Sequence, residues 1–174
     1  MPFPLTAART LPDDGAAGVL AGRIWRPALE RPSVVAIREA GAKAPVLSAV
    51  GTGLDAGLHP VTDWNNPEPE VVLAVSSGGA IVGASLGNDV NLRDVEGRSA
   101  LLLGKAKDNN ASCAIGPFLR LFDDTYSLDD VRRTVVSLLV EGPDGFALRG
   151  TSSLFQISRD PADLVRQMLN ENHG

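Results

Sequence analysis

Between Glu68 and Asp89 two runs of β-forming residues flank the turn-forming string Ser76-Ser77-Gly78-Gly79, and no other pattern constrains the chain as much. Short apolar runs bounded by glycine and serine read as the arms of a β-hairpin, here Glu68 to Val75 and Ala80 to Asp89. Glu68 and Glu70 stand two apart on the first arm, which on a strand puts both on one face, roughly 7 Å apart at Cα. With Ser77 and Gly78 as the loop residues, Ser76 pairs with Gly79. Counting back, Glu70 lies opposite Ser85, Glu68 opposite Gly87 and Asp89 opposite Asn66. Paired residues share a face, so this register gathers Glu68, Glu70 and Asp89, whereas a slip of one residue would send Asp89 to the other side. Neighbouring carboxylates repel unless something positive lies among them. A hard divalent cation, Mg2+ or Mn2+, satisfies oxygen ligands of this kind, with waters and substrate completing an octahedron. Ser85 and Gly87 are small and would leave room for a ligand across from the glutamates. A solvated acidic strand face has the same spacing, and the pattern alone leaves both readings open.

The other runs are also short. Gly18 to Ile24 and Ser33 to Arg38, separated by Pro27 and Pro32, read as a two-stranded N-terminal element. Residues 39–43 read as a linker, which divides the chain into 1–43 and a metal-binding unit over 44–174. Ala44 to Val50 is strand-like, 63–67 is a loop by composition, and Cys113 to Phe122 is another strand candidate. Thr134 to Val140 and Phe146 to Gly150 flank Glu141-Gly142-Pro143-Asp144-Gly145 as a second hairpin. Asp160 and Pro161 hold the N-cap and first helical positions of a helix expected to run to about Asn170. Strands and helices do not alternate, so a doubly wound fold is not expected. The expectation is a mainly β (α+β) fold with one C-terminal helix.

A chain of 174 residues holds one domain and a sizeable core, with 44% hydrophobic residues. Its net charge of -5, with Lys and Arg scattered, excludes a broad nucleic-acid surface. A small anionic substrate remains compatible, because a metal with one lysine and one arginine can outweigh a distant acidic surface. The single cysteine, Cys113, supports no disulfide framework. The N-terminus lacks the charged start and apolar run of a signal peptide, and no stretch approaches the length of a membrane span. The reading is therefore a soluble, cytoplasmic chain. Cys113 opens an apolar run with no histidine nearby and reads as a small buried residue. His59 reads as a surface residue and His173 as part of a frayed end.

The segment from Asn91 to Arg98 and that from Gly104 to Asn110 are dense in polar residues, with one helical turn expected near Ala100 to Leu103. Such a segment is either a solvated loop or a cradle for substrate. In the second reading Arg93 and Lys105 bind carboxylate or keto oxygens beside the metal. A lysine there can have a lowered pKa and exchange protons.

Three of these segments, in order, carry a family resemblance. Trp64-Asn65-Asn66-Pro67-Glu68-Pro69-Glu70-Val71-Val72-Leu73 resembles the Glu-x-Glu strand of the fumarylacetoacetate hydrolase family. Gly87-Asn88-Asp89-Val90-Asn91-Leu92-Arg93-Asp94 is similar to its Asn-Asp-x-x-x-Arg-Asp motif. Gly104-Lys105 with Asp108, followed by Gly116-Pro117-Phe118, is similar to its Gly-Lys segment. The likeness spans about residues 44 to 168, and more loosely 1 to 38. The runs from Glu96 to Leu103 and from Lys105 to Cys113 resemble the branch that dehydrates 2-keto-3-deoxy sugar acids.

The resemblance implies a mixed β-sandwich roll, usually dimeric, with Mg2+ held by Glu68, Glu70 and Asp89. It implies a metal-stabilised enolate at C3 of a 2-keto-3-deoxy-pentonate on the way to 2,5-dioxopentanoate. Lys105 and Arg93 are its catalytic candidates, and Lys105, Asp108 and Asn109 its substrate-binding ones. The chain departs from the pattern in three places. Arg38-Glu39-Ala40-Gly41 runs almost directly into Lys43, where the family carries a lid with an acid–base residue. Ser152-Ser153-Leu154 differs from the usual polar-Met sequence, and the chain stops at Gly174 where the family continues with strands. An internally deleted and C-terminally shortened roll is expected. Three functions follow from this: the Mg2+-dependent hydro-lyase; a C–C bond hydrolase or oxo-acid decarboxylase using the same metal; or a non-catalytic remnant that binds metal or a partner, as a homodimer or with a full-length relative.

Overall fold

The structure, a computed structural model, describes residues 10–37, 62–108 and 113–170. The expected linker at 39–43, the run Ala44 to Val50, His59, Asn109 and His173 lie outside these residues. In chain order the described strands are β1 (Leu20–Arg26), β2 (Arg31–Ile37), β3 (Asn65–Asn66), β4 (Pro69–Val75), β5 (Ile81–Asp89), β6 (Asn91–Leu92), β7 (Cys113–Ile115), β8 (Leu119–Leu121), β9 (Val135–Glu141) and β10 (Ala147–Ser153). The main sheet runs β2-β1-β8-β5-β4, with β7 also paired to β5. β9 and β10 form a separate hairpin, and β3 pairs with β6. Every described pairing is antiparallel. The fold is mainly β with open sheets and a C-terminal helix, Pro161–Met168.

The central hairpin forms, but not in the expected register. Gly79 donates its N–H to the Ser76 carbonyl at 2.9 Å, Ser76 donates to the Ala80 carbonyl at 2.8 Å, and Gly79 has φ 83°. The loop therefore has three residues, closed by a glycine in the left-handed region. A second irregularity follows: Val75 pairs with Ile81 but Ala74 pairs with Gly83, so Val82 is an extra residue. Each irregularity shifts the pairing by one. Together they shift it by two, so Glu70 faces Gly87 rather than Ser85. A shift of two restores the alternation of faces, and Asp89 stays on the side of the glutamates.

Three other expectations are corrected. Cys113 to Phe122 is not one strand: Pro117, with no N–H to give a ladder, separates β7 from β8. The 63–67 loop contains β3, whose Asn66 pairs with Asn91 instead of Asp89. The polar segment after Asp89 forms three short turns, Arg93–Glu96, Ala100–Leu102 and Leu103–Ala106, rather than one. A further short helix, Leu128–Arg132, opens on a capping box between Ser127 and Asp130.

The N-terminal hairpin is tied to the site strands. On its far side β1 pairs with β8 (Leu20 with Arg120, Ala21 with Leu119), and β8 pairs with β5. Leu20, Ile37 and Phe118 form the buried cluster at this junction. Gly83 permits the β5–β8 approach, since a Cβ there would lie 2.5 Å from the Arg120 carbonyl oxygen.

Asp160 caps the C-terminal helix, as expected from its place before Pro161, by accepting from Ala162 N–H at 2.8 Å. It also binds Arg132 through two bonds of 2.6 and 2.9 Å, which join this helix to Leu128–Arg132. The Arg132 bonds, with the Ala162 N–H, hold the Asp160 carboxyl down from 3.8 to about 2. A carboxyl depressed on folding contributes stability above its unfolded value and loses it as pH falls through the folded value. Melting from pH 4 to pH 2 is expected to show a steep loss of stability that is shallower in Asp160→Asn. Equal slopes would count against this link.

Candidate metal centre

Glu68 and Asp89 meet where β4 begins and β5 ends. The Glu68 carbonyl accepts from Asp89 N–H at 3.0 Å, and Glu68 N–H donates to Asn88 Oδ1 at 2.9 Å. These bonds fix the backbone from which both carboxylates project. Glu70 stands on the same face, opposite Gly87. One carboxylate oxygen from each of Glu68, Glu70 and Asp89 lies within 4.8 Å of the other two. Glu68 and Asp89 are half-buried and Glu70 is exposed.

Partial burial and then the nearby Asp89 push the Glu70 carboxyl above its ordinary value, while Lys107 pulls it down. The Lys107 ammonium lies among these oxygens. It donates to Glu68 Oε2, to the Asp89 carbonyl at 2.8 Å, and lies 2.9 Å from Asp89 Oδ2. Burial works against its charge, but the bonds to Glu68 and Asp89 outweigh it and hold the ammonium above its ordinary range. A positive group already lies where the carboxylates of Glu68 and Asp89 meet. An all-oxygen donor set around such a point suits a hard divalent cation, so these residues could hold one.

Lys107 was not among the candidates read from the sequence, and Lys105 was. Two residues apart on a helical turn point to nearly opposite sides, so only one of the two lysines can face the carboxylates. Lys105 turns outward, mostly exposed, and pairs with Asp108. That hydrogen bond raises its pKa. Arg93 also does not reach the triad: its guanidinium binds Glu96 at 2.7 Å, while its N–H donates to the Trp64 carbonyl. It connects to the site through Glu96 and Asn91. The Asn91 amide nitrogen donates to Glu96 Oε2 at 2.9 Å and to Glu68 Oε1 at 2.6 Å. Asn91 was missed because an asparagine in a polar segment has no visible sign of burial.

The space expected across from the glutamates is not open. A Cβ on Gly87 would lie 2.6 Å from a Val72 methyl, so that side chain fills the notch. Ser85 faces Val72 and donates to the Phe118 carbonyl at 2.7 Å. Cys113, expected to be buried, is exposed and pairs with Asp89 across β7 and β5. Partial desolvation, then the carboxylates of Asp89 and Glu70, push its thiol up.

No family model matches the sequence. The chain is 34% identical over 90 residues to the 2-dehydro-3-deoxy-D-arabinonate dehydratase of Saccharolobus solfataricus, covering 50% of this chain and 30% of that protein. It is 28% identical over 130 residues to a probable 2-keto-3-deoxyxylonate dehydratase of Haloferax volcanii, covering 75% of this chain and 44% of that protein. Its fold is similar to that of a solved 2-keto-3-deoxyarabinonate dehydratase, with a TM-score of 0.55 and 23% identity over 65% of this chain and 39% of the other. A 2-keto-3-deoxy-D-arabinonate dehydratase complexed with magnesium and 2,5-dioxopentanoate superposes with a TM-score of 0.53, also at 23% identity and over the same shares. The relatives are thus the sugar-acid dehydratases to which the motifs point, and the chain spans less than half of their length. No helix among the described residues is long and apolar enough to cross a membrane.

Proposed function

We propose that this chain is the metal-binding part of a magnesium-dependent hydro-lyase acting on 2-keto-3-deoxy sugar acids, with a pentonate converted to 2,5-dioxopentanoate. The observation that carries this reading is the convergence of Glu68, Glu70 and Asp89, two of which already pair with the Lys107 ammonium. The three carboxylates would hold Mg2+, and Mn2+ shares their preference for oxygen. When bound, the ion supplies Lewis acidity, drawing electrons from the 2-keto acid so that a C3 proton is released more readily.

The chain's own residues bind and orient. Lys107 takes the substrate-binding role that the motif order assigns to Lys105. Its flexible stem lets the ammonium turn from the carboxylates to an anionic substrate oxygen. In the arrangement seen here its ammonium is a hydrogen-bond donor. Arg93 acts through Glu96. Lys107 and a cation compete for the same oxygens, so Lys107→Met is expected to tighten Mg2+ binding without substrate. The gain is up to about 30-fold, since the ammonium makes two partly exposed ion pairs and each contributes about 0–1 kcal/mol. Calorimetric titration of the two proteins checks the sign, and weaker binding in the variant would contradict the competition.

A second reading, a non-catalytic chain that works with a partner, is favoured by large apolar residues left in solvent: Leu101 is 94%, Phe155 81% and Val34 80% exposed. Incubation with 2-keto-3-deoxy-pentonates and Mg2+, followed by assay for 2,5-dioxopentanoate, separates the readings. Product formation supports the hydro-lyase. Turnover of a diketo acid instead supports the C–C hydrolase. A folded, metal-loaded chain that turns over neither supports the partner-dependent form.

A further inference from the structure

We infer that Asn91 is a positioning residue that divides the two oxygens of Glu68, holding one so that the other faces the cation. The inference rests on the reading of Glu68 as a metal ligand. Asn91 is 1% exposed and lies between Val90 and Leu92, each 3% exposed, in and beside the short strand β6. An amide nitrogen has two hydrogens, and both go to carboxylates: Glu68 Oε1 at 2.6 Å and Glu96 Oε2 at 2.9 Å. The chemistry fixes this orientation, because the reversed amide would set its carbonyl oxygen against two anionic oxygens. The Asn91 Oδ1 atom is buried with no hydrogen-bond partner among the described residues, which opposes burial of the group. Two charge-assisted bonds offset that opposition.

The clamp is anchored from behind. Glu96 is held by Arg93 at 2.7 Å, so the carboxylate against which Asn91 braces is itself fixed and neutralised. On the other side, Asn91 takes Glu68 Oε1 and leaves Oε2 toward Lys107, the position of positive charge. Arg93, Glu96, Asn91 and Glu68 thus form a chain of contacts from the helical turn Arg93–Glu96 into the site. Without Asn91 the Glu68 carboxylate would lose its hold on Oε1, and the ion would have to order it in place of Lys107. Loss of such outer contacts to a metal-binding carboxylate typically weakens affinity roughly 10–100-fold.

The test measures Mn2+ affinity from the paramagnetic resonance signal of the free ion, alongside thermal melting without metal. The unaltered chain is expected to bind, Asn91→Ala to bind about 10–100-fold more weakly, and Glu96→Ala to bind more weakly by a smaller factor. A purely structural role would lower the melting temperature and leave the affinity of the folded protein unchanged. Folded Asn91→Ala that binds Mn2+ as the unaltered chain does would overturn the inference alone. An unaltered chain that binds no Mn2+ would overturn the metal reading and the inference with it. If Asn91→Ala gives no cooperative melt, Glu96→Ala decides: weaker binding supports the clamp, and unchanged binding overturns it.

Discussion

Replacing Leu20 with alanine is expected to lower the unfolding free energy by about 2–5 kcal/mol, the range for truncating a buried leucine. Leu20 is 1% exposed and packs with Ile37 and Phe118. Its position makes the loss more than local. Leu20 pairs with Ile37 on one side and Arg120 on the other, so it stands where the N-terminal hairpin joins β8. Phe118, beside it in the cluster, offers its carbonyl to Ser85 on β5. A cavity at Leu20 therefore loosens the strand that carries Asp89. Denaturant unfolding of the variant measures the loss. A change below 1 kcal/mol would show that this junction does not hold the sheet together.

Asp89→Asn is expected to weaken divalent-cation binding more than roughly 100-fold, the upper end for losing a contact that only orients a metal-binding group, because a carboxylate proposed to bind the ion is itself removed. The substitution keeps the shape and the backbone bond to Glu68. It removes one of three negative charges that converge within 4.8 Å, and with it a neighbour that raises the Glu70 pKa. The cation-free chain should lose part of the Lys107 pairing and part of the carboxylate repulsion, two effects of opposite sign. The cation affinity, not the stability without metal, is therefore the informative quantity. Equal Mn2+ binding by Asp89→Asn and the unaltered chain would remove Asp89 from the site.

The parts of this molecule that local physics decides are the parts legible in its sequence. Strand alternation put Glu68, Glu70 and Asp89 on one face, and the cap at Asp160 with Pro161 marked the start of the last helix. The register of the central hairpin was not legible, because nothing in the composition distinguishes a two-residue loop from the three-residue loop closed by Gly79. Nor does it show that Val82 stands out of the ladder. The triad survived because two one-residue shifts cancel in parity. Which of Lys105 and Lys107 faces the carboxylates depends on the side of a short helical turn, and motif spacing alone does not show that it is Lys107. Asn91 and the β1–β8 pairing depend on contacts distant in sequence. A polar segment read one residue at a time does not reveal them.

The most direct measurement is thermal melting of the unaltered chain with Mg2+ and with chelator, beside Glu70→Ala. If the three carboxylates hold the ion, Mg2+ at about 100 times its dissociation constant adds about 2.7 kcal/mol to the unfolding free energy. The melting temperature then rises with Mg2+ in the unaltered chain and stays level in Glu70→Ala. A melt that is the same with Mg2+ and with chelator, or a Mg2+ response that persists in Glu70→Ala, would contradict the assignment of this site.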